Sequence, residues 1–245
     1  MADAIHAPPL SLLEGAALFL DFDGTLVELA ETPDAIQVSP ALAPLLNRLA
    51  VRLDGRLAIV SGRSIADLER HLFCAGIALS GSHGLEIRLR DGTDARLAAA
   101  PALDHARELI TNFAGAVPGL LVERKPFGVA IHYRQAPDRA AEVGSFMAEL
   151  AASTGLTVQH GKMVAELRPL GADKGDAIRV LIAEPDFAGA RPVFVGDDLT
   201  DEHAFRTAAE LGGAGILVGP PRPTAAQWRL GDVREVVTFL EQAAG

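Results

Sequence analysis

The chain has a single cysteine, Cys74, in 245 residues. One thiol can form neither an internal disulfide nor a cysteine-rich zinc site, so a reducing compartment such as the cytoplasm is expected. Aromatic side chains are scarce as well, with one Trp and one Tyr, which excludes a stacking platform for single-stranded nucleic acid. Basic residues are in deficit. The 22 Lys+Arg against 32 Asp+Glu leave a net charge of −10, and a nucleic-acid footprint needs clustered Lys and Arg. No apolar run approaches the ~18 residues of a membrane span. The stretch from Met1 to Leu20 has no Lys or Arg but does have Asp3 and Glu14, so neither a membrane partner nor a signal peptide is expected. The seven His are scattered without zinc-type spacing. What is present, 49% hydrophobic and 22% charged residues, suffices for globular cores in one or two domains.

Apolar runs and amphipathic stretches alternate at both ends of the chain. Ala16 to Leu20, Leu57 to Val60 and Ile77 to Leu79 are short continuous apolar runs that suit strands covered on both faces. Between the first two, Leu42, Leu45, Leu46 and Leu49 recur at helical spacing, with Ser39 as the expected N-cap and Pro40 at the first helical position. From Asp173 the rhythm returns, with strands at 193–195 and 216–218 and helices around 178–182, 205–211 and 233–240. This order predicts a parallel sheet with helices on its faces. The middle differs. Leu85, Ile87 and Leu89 alternate up to a hairpin signal at Asp91-Gly92, and Pro126-Phe127-Gly128 separates two further strand patterns ending near Lys125 and Arg134. The expected fold is therefore an α/β core built from residues 1–85 and 169–245, with an α+β module inserted at 86–168.

The strongest chemical signal follows the first strand: Asp21-Phe22-Asp23-Gly24-Thr25. Asp-x-Asp-Gly-Thr arises by chance about once in 10⁵ positions at ordinary residue usage. Strand ends in open parallel sheets are where ligands bind. A second acidic cluster, Gly196-Asp197-Asp198-Leu199-Thr200-Asp201-Glu202, follows another apolar strand. These carboxylates repel one another unless they are exposed or neutralised, which points to an oxygen-rich site for a hard cation, Mg²⁺ in preference to Ca²⁺. Two further segments can hold an anion. Ser61-Gly62-Arg63 closes the second strand with a hydroxyl and main-chain N–H groups, and Lys174 stands at a helix start.

These four segments, in this order, resemble the motifs of the haloacid-dehalogenase superfamily of aspartyl phosphotransferases. The resemblance implies a Rossmann-like core with an inserted cap. It implies Asp21 as nucleophile, Asp23 as general acid and base, and Lys174, Ser61, Gly62 and Arg63 around the phosphate. Mg²⁺ would be held by Asp21, the main-chain carbonyl of Asp23 and Asp197, with Thr25, Asp198 and Asp201 in support. Further matches narrow the family: Gly81-Ser82-His83-Gly84-Leu85-Glu86, Glu123-x-Lys125, His132-Tyr133-Arg134, Lys162-x-x-x-Glu166, Asp173-Lys174-Gly175 and the second acidic cluster. Together they are similar to the trehalose-6-phosphate phosphatase family, from residue 18 to about 206. His203 stands where the family pattern has an acid.

The resemblance implies that Glu123, Lys125, Arg134, Lys162 and Glu166 bind sugar hydroxyls. From spacing alone, these charges fit a solvated sheet face with surface ion pairs better. The small-molecule substrate implied is trehalose 6-phosphate, with another capped sugar phosphatase, a silent sugar-phosphate binding module or a phosphomutase as alternatives. Oligomeric state is not legible, and a monomer is the default.

Overall fold

The computed structural model describes residues 6–30, 36–72, 76–97, 101–125, 127–161, 163–169 and 173–245. In chain order the first elements are β1 (Ala16–Leu20), α1 (Leu42–Arg52), β2 (Leu57–Val60), α2 (Ile65–His71), β3 (Ala78–Gly81), β4 (Glu86–Arg88) and β5 (Asp94–Leu97). There follow α3 (Pro101–Gly115), β6 (Leu121–Lys125), β7 (Gly128–His132), α4 (Ala140–Thr154), β8 (Leu156–Gly161) and β9 (Val164–Pro169). The chain closes with α5 (Lys174–Ile182), β10 (Arg191–Gly196), α6 (Asp201–Glu210), β11 (Ala214–Val218), β12 (Trp228–Leu230) and α7 (Val233–Ala244).

Eight strands form one sheet in the order β12-β11-β10-β1-β2-β3-β4-β5. The pairings from β12 through β3 are parallel, and β4 and β5 add an antiparallel edge. Continuous apolar runs sit at its centre because helices cover both faces. Leu18 and Leu20 of β1 pack with Leu45, Leu46 and Leu49 of α1 and Val236 and Leu240 of α7. Ala17 and Phe19 point the other way, into Ile178 and Leu181 of α5 and Phe205 of α6. The alternation along five residues thus feeds two separate cores.

Residues 98–171 form a second compact unit. Its four strands run in the order β6-β7-β9-β8, all antiparallel. One face carries α3 and α4, with Ile110, Val143 and Met147 packed on Val129, Ile131 and Leu167. No described helix is long and apolar enough to cross a membrane.

Three sequence expectations change. The hairpin at 86–97, which the alternation placed in the insert, pairs with the core: Ser80 lies opposite Ile87 and Gly81 opposite Glu86. The division between the two units accordingly falls at 97/98 and 171/172. Helix α1 starts at Leu42, beyond the expected Ser39-Pro40 cap. The Ser39 hydroxyl accepts from Ala41 N–H at 3.3 Å and the Ser39 carbonyl from Leu42 N–H at 3.0 Å, which makes a turn leading into the helix. β12 gave no periodic signal, being three residues with Arg229 at the centre. Residues 73–75, with Cys74, and residue 162 lie outside the described residues.

Candidate active site

β1 leaves the sheet at Asp21, whose N–H donates to the Val195 carbonyl at 2.9 Å. The loop folds back at once. The N–H groups of Leu26 and Val27 donate to the Phe22 carbonyl at 2.9 and 3.1 Å, and that of Gly24 donates to Val27 at 2.8 Å. Gly24 has a φ of +77°, and a Cβ there would lie 2.1 Å from Asp197 Oδ2. Only glycine combines that backbone conformation with so close an approach, so it is what lets the two acidic loops touch.

Lys174 is the first residue of α5. The Asp173 side chain accepts from Asp176 N–H at 2.9 Å, and Asp176 Oδ2 accepts from Asp173 N–H at 3.2 Å, a reciprocal cap that fixes the helix start. From there Lys174 Nζ donates to Asp21 Oδ1 at 2.7 Å and to Asp201 Oδ1 at 2.6 Å, with all three side chains at most 5% exposed. Asp201 Oδ2 in turn accepts from Asp198 N–H at 2.9 Å. Asp201 can lie this close to the end of β10 because residue 196 is glycine. A Cβ there would sit 2.4 Å from Asp201 Oδ2.

Carboxylate oxygens of Asp21, Asp197 and Asp201 lie within 4.8 Å of one another. Three acids around one ammonium leave an excess of negative charge out of water. Burial first, with Asp201 adding to it, pushes Asp21 up to about 8 against the pull of Lys174. Burial and Asp201 likewise raise Asp197 to about 6. Burial works against the charged form of Lys174, but Asp21 and Asp201 outweigh it and keep the ammonium protonated. Asp197 Oδ1 and the Thr25 hydroxyl are buried with no hydrogen-bond partner among the described residues. A cluster of hard oxygen donors, short of positive charge and with one carboxylate oxygen unsatisfied, fits a divalent hard cation.

The Ser61 hydroxyl, also buried, accepts from Arg63 N–H at 3.1 Å, which leaves its own proton free to donate. The Arg63 side chain is paired with carboxylates. Its guanidinium donates to both oxygens of Asp23, at 2.7 and 2.8 Å, and to Asp67 Oδ2 at 2.7 Å. The two-pronged contact orients the Asp23 carboxylate as well as neutralising it. Asp23 is thereby separate from the three-carboxylate cluster, and with Arg63, Asp67, Arg70, Leu29 and Ile36 it lines an open cleft of about 500 Å³. Asp198 is exposed, and its side chain accepts from Leu199 N–H at 2.6 Å within its own turn. His203 pairs with Asp173 at 2.9 Å.

On the second unit, Val122, Ala165 and Leu167 face the helices, so Glu123, Lys125 and Glu166 project from the opposite face. Lys125 Nζ meets Glu166 Oε2 at 2.5 Å, and Glu123 meets His132 Nε2 at 2.8 Å. Arg134 corrects an expectation. Strand β7 ends at His132, and Arg134 lies exposed in the turn that follows. Lys162 lies outside the described residues.

Two residues received no role from the sequence: Glu86, seen there only as the end of a motif, and Arg222. Glu86 is buried and accepts from Ile65 N–H at 3.1 Å and from the Ser82 hydroxyl at 2.5 Å, tying the start of α2 to the 82–84 turn. Arg222 reaches the main chain of Asp197 and Asp198 from the loop between β11 and β12. Its only local signal was the surrounding run of prolines.

A family model described as trehalose-phosphatase matches residues 19–234. A probable trehalose-phosphate phosphatase of Sinorhizobium fredii is 42% identical over 87% of this chain and 81% of that protein. The trehalose-phosphate phosphatase of Mycobacterium marinum is 39% identical over 93% of this chain, which spans only 61% of that longer protein. Among solved structures, a trehalose-6-phosphate phosphatase of Aspergillus fumigatus aligns with a TM-score of 0.75 at 26% identity, covering 98% of this chain and 99% of that one.

Proposed function

The chain belongs to the trehalose-phosphatase family, and on that premise we propose that it hydrolyses trehalose 6-phosphate to trehalose and inorganic phosphate. That reaction would be the last step of trehalose biosynthesis. The observation that carries the reading is Lys174, held between Asp21 and Asp201 at the strand ends with Asp197 alongside.

A phosphate monoester resists attack because its own charge repels an incoming oxygen, so most of catalysis is positioning and charge neutralisation. Asp21 attacks phosphorus and forms an aspartyl-phosphate as the bond to the sugar oxygen breaks. Asp23, protonated on a carboxyl-oxygen lone pair turned away from Arg63, gives that proton to the departing oxygen. Asp23 then takes a proton from water, whose oxygen attacks the phosphorus of the aspartyl-phosphate. Phosphate leaves and the Asp21 carboxylate is restored. Arg63 sets the direction in which Asp23 points. Lys174 offers charge to the phosphoryl oxygens while Asp201 holds it in place, and Ser61 with the N–H of Gly62 supplies neutral donors.

The residues that would hold Mg²⁺ are Asp21, Asp197 and the main-chain carbonyl of Asp23, with Thr25 and Asp198 shaping the loops around them. Bound there, the ion supplies neutralisation of the phosphoryl charge. On the inserted unit, Lys125 and Glu166 would exchange their mutual pairing, and Glu123 its pairing with His132, for sugar hydroxyls, with Arg134 and Lys162 as further candidates to bind them.

Phosphate release from a panel of phosphorylated sugars, with and without Mg²⁺, tests this. Preference for trehalose 6-phosphate over glucose 6-phosphate and sucrose 6-phosphate is expected. Equal turnover of all three would overturn the substrate assignment, and full turnover in a chelator would overturn the metal assignment.

A further inference from the structure

We propose that Arg222, a residue outside the acidic motifs, is a positioning residue for the cation site. It clamps the peptide that carries Asp197. The inference rests on the metal assignment made above and goes beyond it in naming what holds Asp197 in place.

Asp197 needs such a device. It sits where β10 has ended, beyond the last ladder pairing at Gly196, and its Oδ1 is buried with no partner among the described residues. One of its two carboxylate oxygens is therefore held by no hydrogen bond among the described residues, and the Asp21 side chain is its one side-chain partner in the cluster. The peptide linking Asp197 to Asp198 is instead gripped at both ends. Its N–H donates to Asp201 Oδ2 at 2.9 Å, and its carbonyl accepts from Arg222 Nη2 at 3.3 Å. The same nitrogen donates to the next carbonyl, that of Asp198, at 2.8 Å. One planar donor thus spans two successive carbonyls, which an ammonium on a flexible stem does less well.

Arg222 is itself anchored. Nη1 donates to Glu202 Oε1, and Glu202 Oε2 accepts from Ala225 N–H at 2.8 Å. Both side chains of this pair are mostly buried, at 20% and 13% exposure. Glu202 also cancels the guanidinium charge, so the arginine can lie beside a cation site without opposing it by a full charge. Pro220, Pro221 and Pro223 stiffen the loop that presents it. Without Arg222, rotation of the 197–198 peptide becomes cheaper, and the Asp197 carboxylate swings away from Asp21 and Asp201.

Residues that orient metal ligands typically change metal affinity by about 10- to 100-fold when removed. The test is calorimetric titration of the folded, metal-stripped protein with Mn²⁺ and with Mg²⁺, alongside kcat and KM at saturating metal. Arg222→Met should weaken cation binding by at least about tenfold, with KM for sugar phosphate nearly unchanged once metal is saturating, and Arg222→Lys should recover part of the loss. Glu202→Gln, which keeps the acceptor for Ala225 but loosens the anchor, should fall between wild type and Arg222→Met, and it serves if Arg222→Met does not fold. Cation affinity within twofold of wild type in either variant would overturn the proposal. A wild-type protein that binds neither ion would overturn the metal assignment itself.

Discussion

Replacing Lys174 by Met removes the ammonium but keeps most of the apolar stem, and it leaves Asp21 and Asp201 facing each other. Those carboxylates are 5% and 0% exposed, so water cannot take over the role of Lys174. Removing one partner of a buried ion pair costs about 3–5 kcal/mol, because a charge is left uncompensated. At about 2–4 °C per kcal/mol for a protein of this size, the melting temperature should fall by roughly 6–20 °C in chelator near pH 7.5. The loss should shrink in acid. Burial already pushes Asp21 up in the wild type, and without the ammonium that lowers it the folded form binds this extra proton more readily, so it gains stability as pH falls. A second substitution isolates the cause. Lys174→Met with Asp201→Asn has one buried charge fewer and should recover about half of the loss, a non-additivity that thermal or urea unfolding measures directly. A single variant within about 1 kcal/mol of wild type, as an exposed pair would give, would refute the argument. So would a double variant no more stable than the single.

The metal-free wild type should lose stability as pH rises from about 4 to 8. Asp21 is pushed up to about 8 and Asp197 to about 6, chiefly by burial, while unfolded carboxyls ionise near 3.9. The folded state therefore binds more protons across that range. Because a cation competes with those protons, the thermal shift on adding Mg²⁺ should be larger at pH 8 than at pH 5, and equal shifts would contradict the cluster's assignment. Gly24→Ala should lose about 1–2 kcal/mol from its left-handed backbone. With its Cβ 2.1 Å from Asp197 Oδ2, it should also lose on the order of 100-fold in kcat through displacement of that carboxylate; retention of half the wild-type rate would refute the contact. Lys125→Met and Glu166→Gln should raise KM for trehalose 6-phosphate at least tenfold while leaving a small aryl phosphate nearly unaffected, and equal losses on both substrates would remove the sugar-reading role.

The parts of this molecule that sequence alone revealed are those whose physics is local. The run Ala16 to Leu20 is apolar throughout because it is covered on both faces, and that reads directly as a central strand. Asp173 followed by Lys174 and Asp176 carries its own helix cap. Asp21 and Asp197 could be placed near one another because both follow buried strands of the same sheet. What stayed hidden depends on distant partners. The alternation at 85–89 identifies a hairpin but not the sheet it joins, and pairing with Ser80 and Gly81 puts it in the core. Arg63 looked like an anion contact because it follows Ser61-Gly62, yet the side chain turns to Asp23, forty positions earlier in the chain. Arg222 acts across 25 and 24 positions, and Arg134 falls outside its strand because β7 ends at His132. Spacing placed the charges of β6 and β9 on one face, but only the strand register shows that Lys125 and Glu166 meet.

The central claim is that the carboxyl of Asp21 is phosphorylated during turnover. The most direct measurement is acid-quenched peptide mass mapping of the Asp23→Asn variant reacting with an aryl phosphate in Mg²⁺. Such a leaving group needs no proton to depart, whereas hydrolysis of the intermediate needs the missing base. The account predicts near-stoichiometric addition of a phosphoryl group to the peptide containing residue 21, and none when Asp21 is also replaced by Asn. Release of the aryl alcohol with no phosphoryl group on that peptide at any quench time would contradict it.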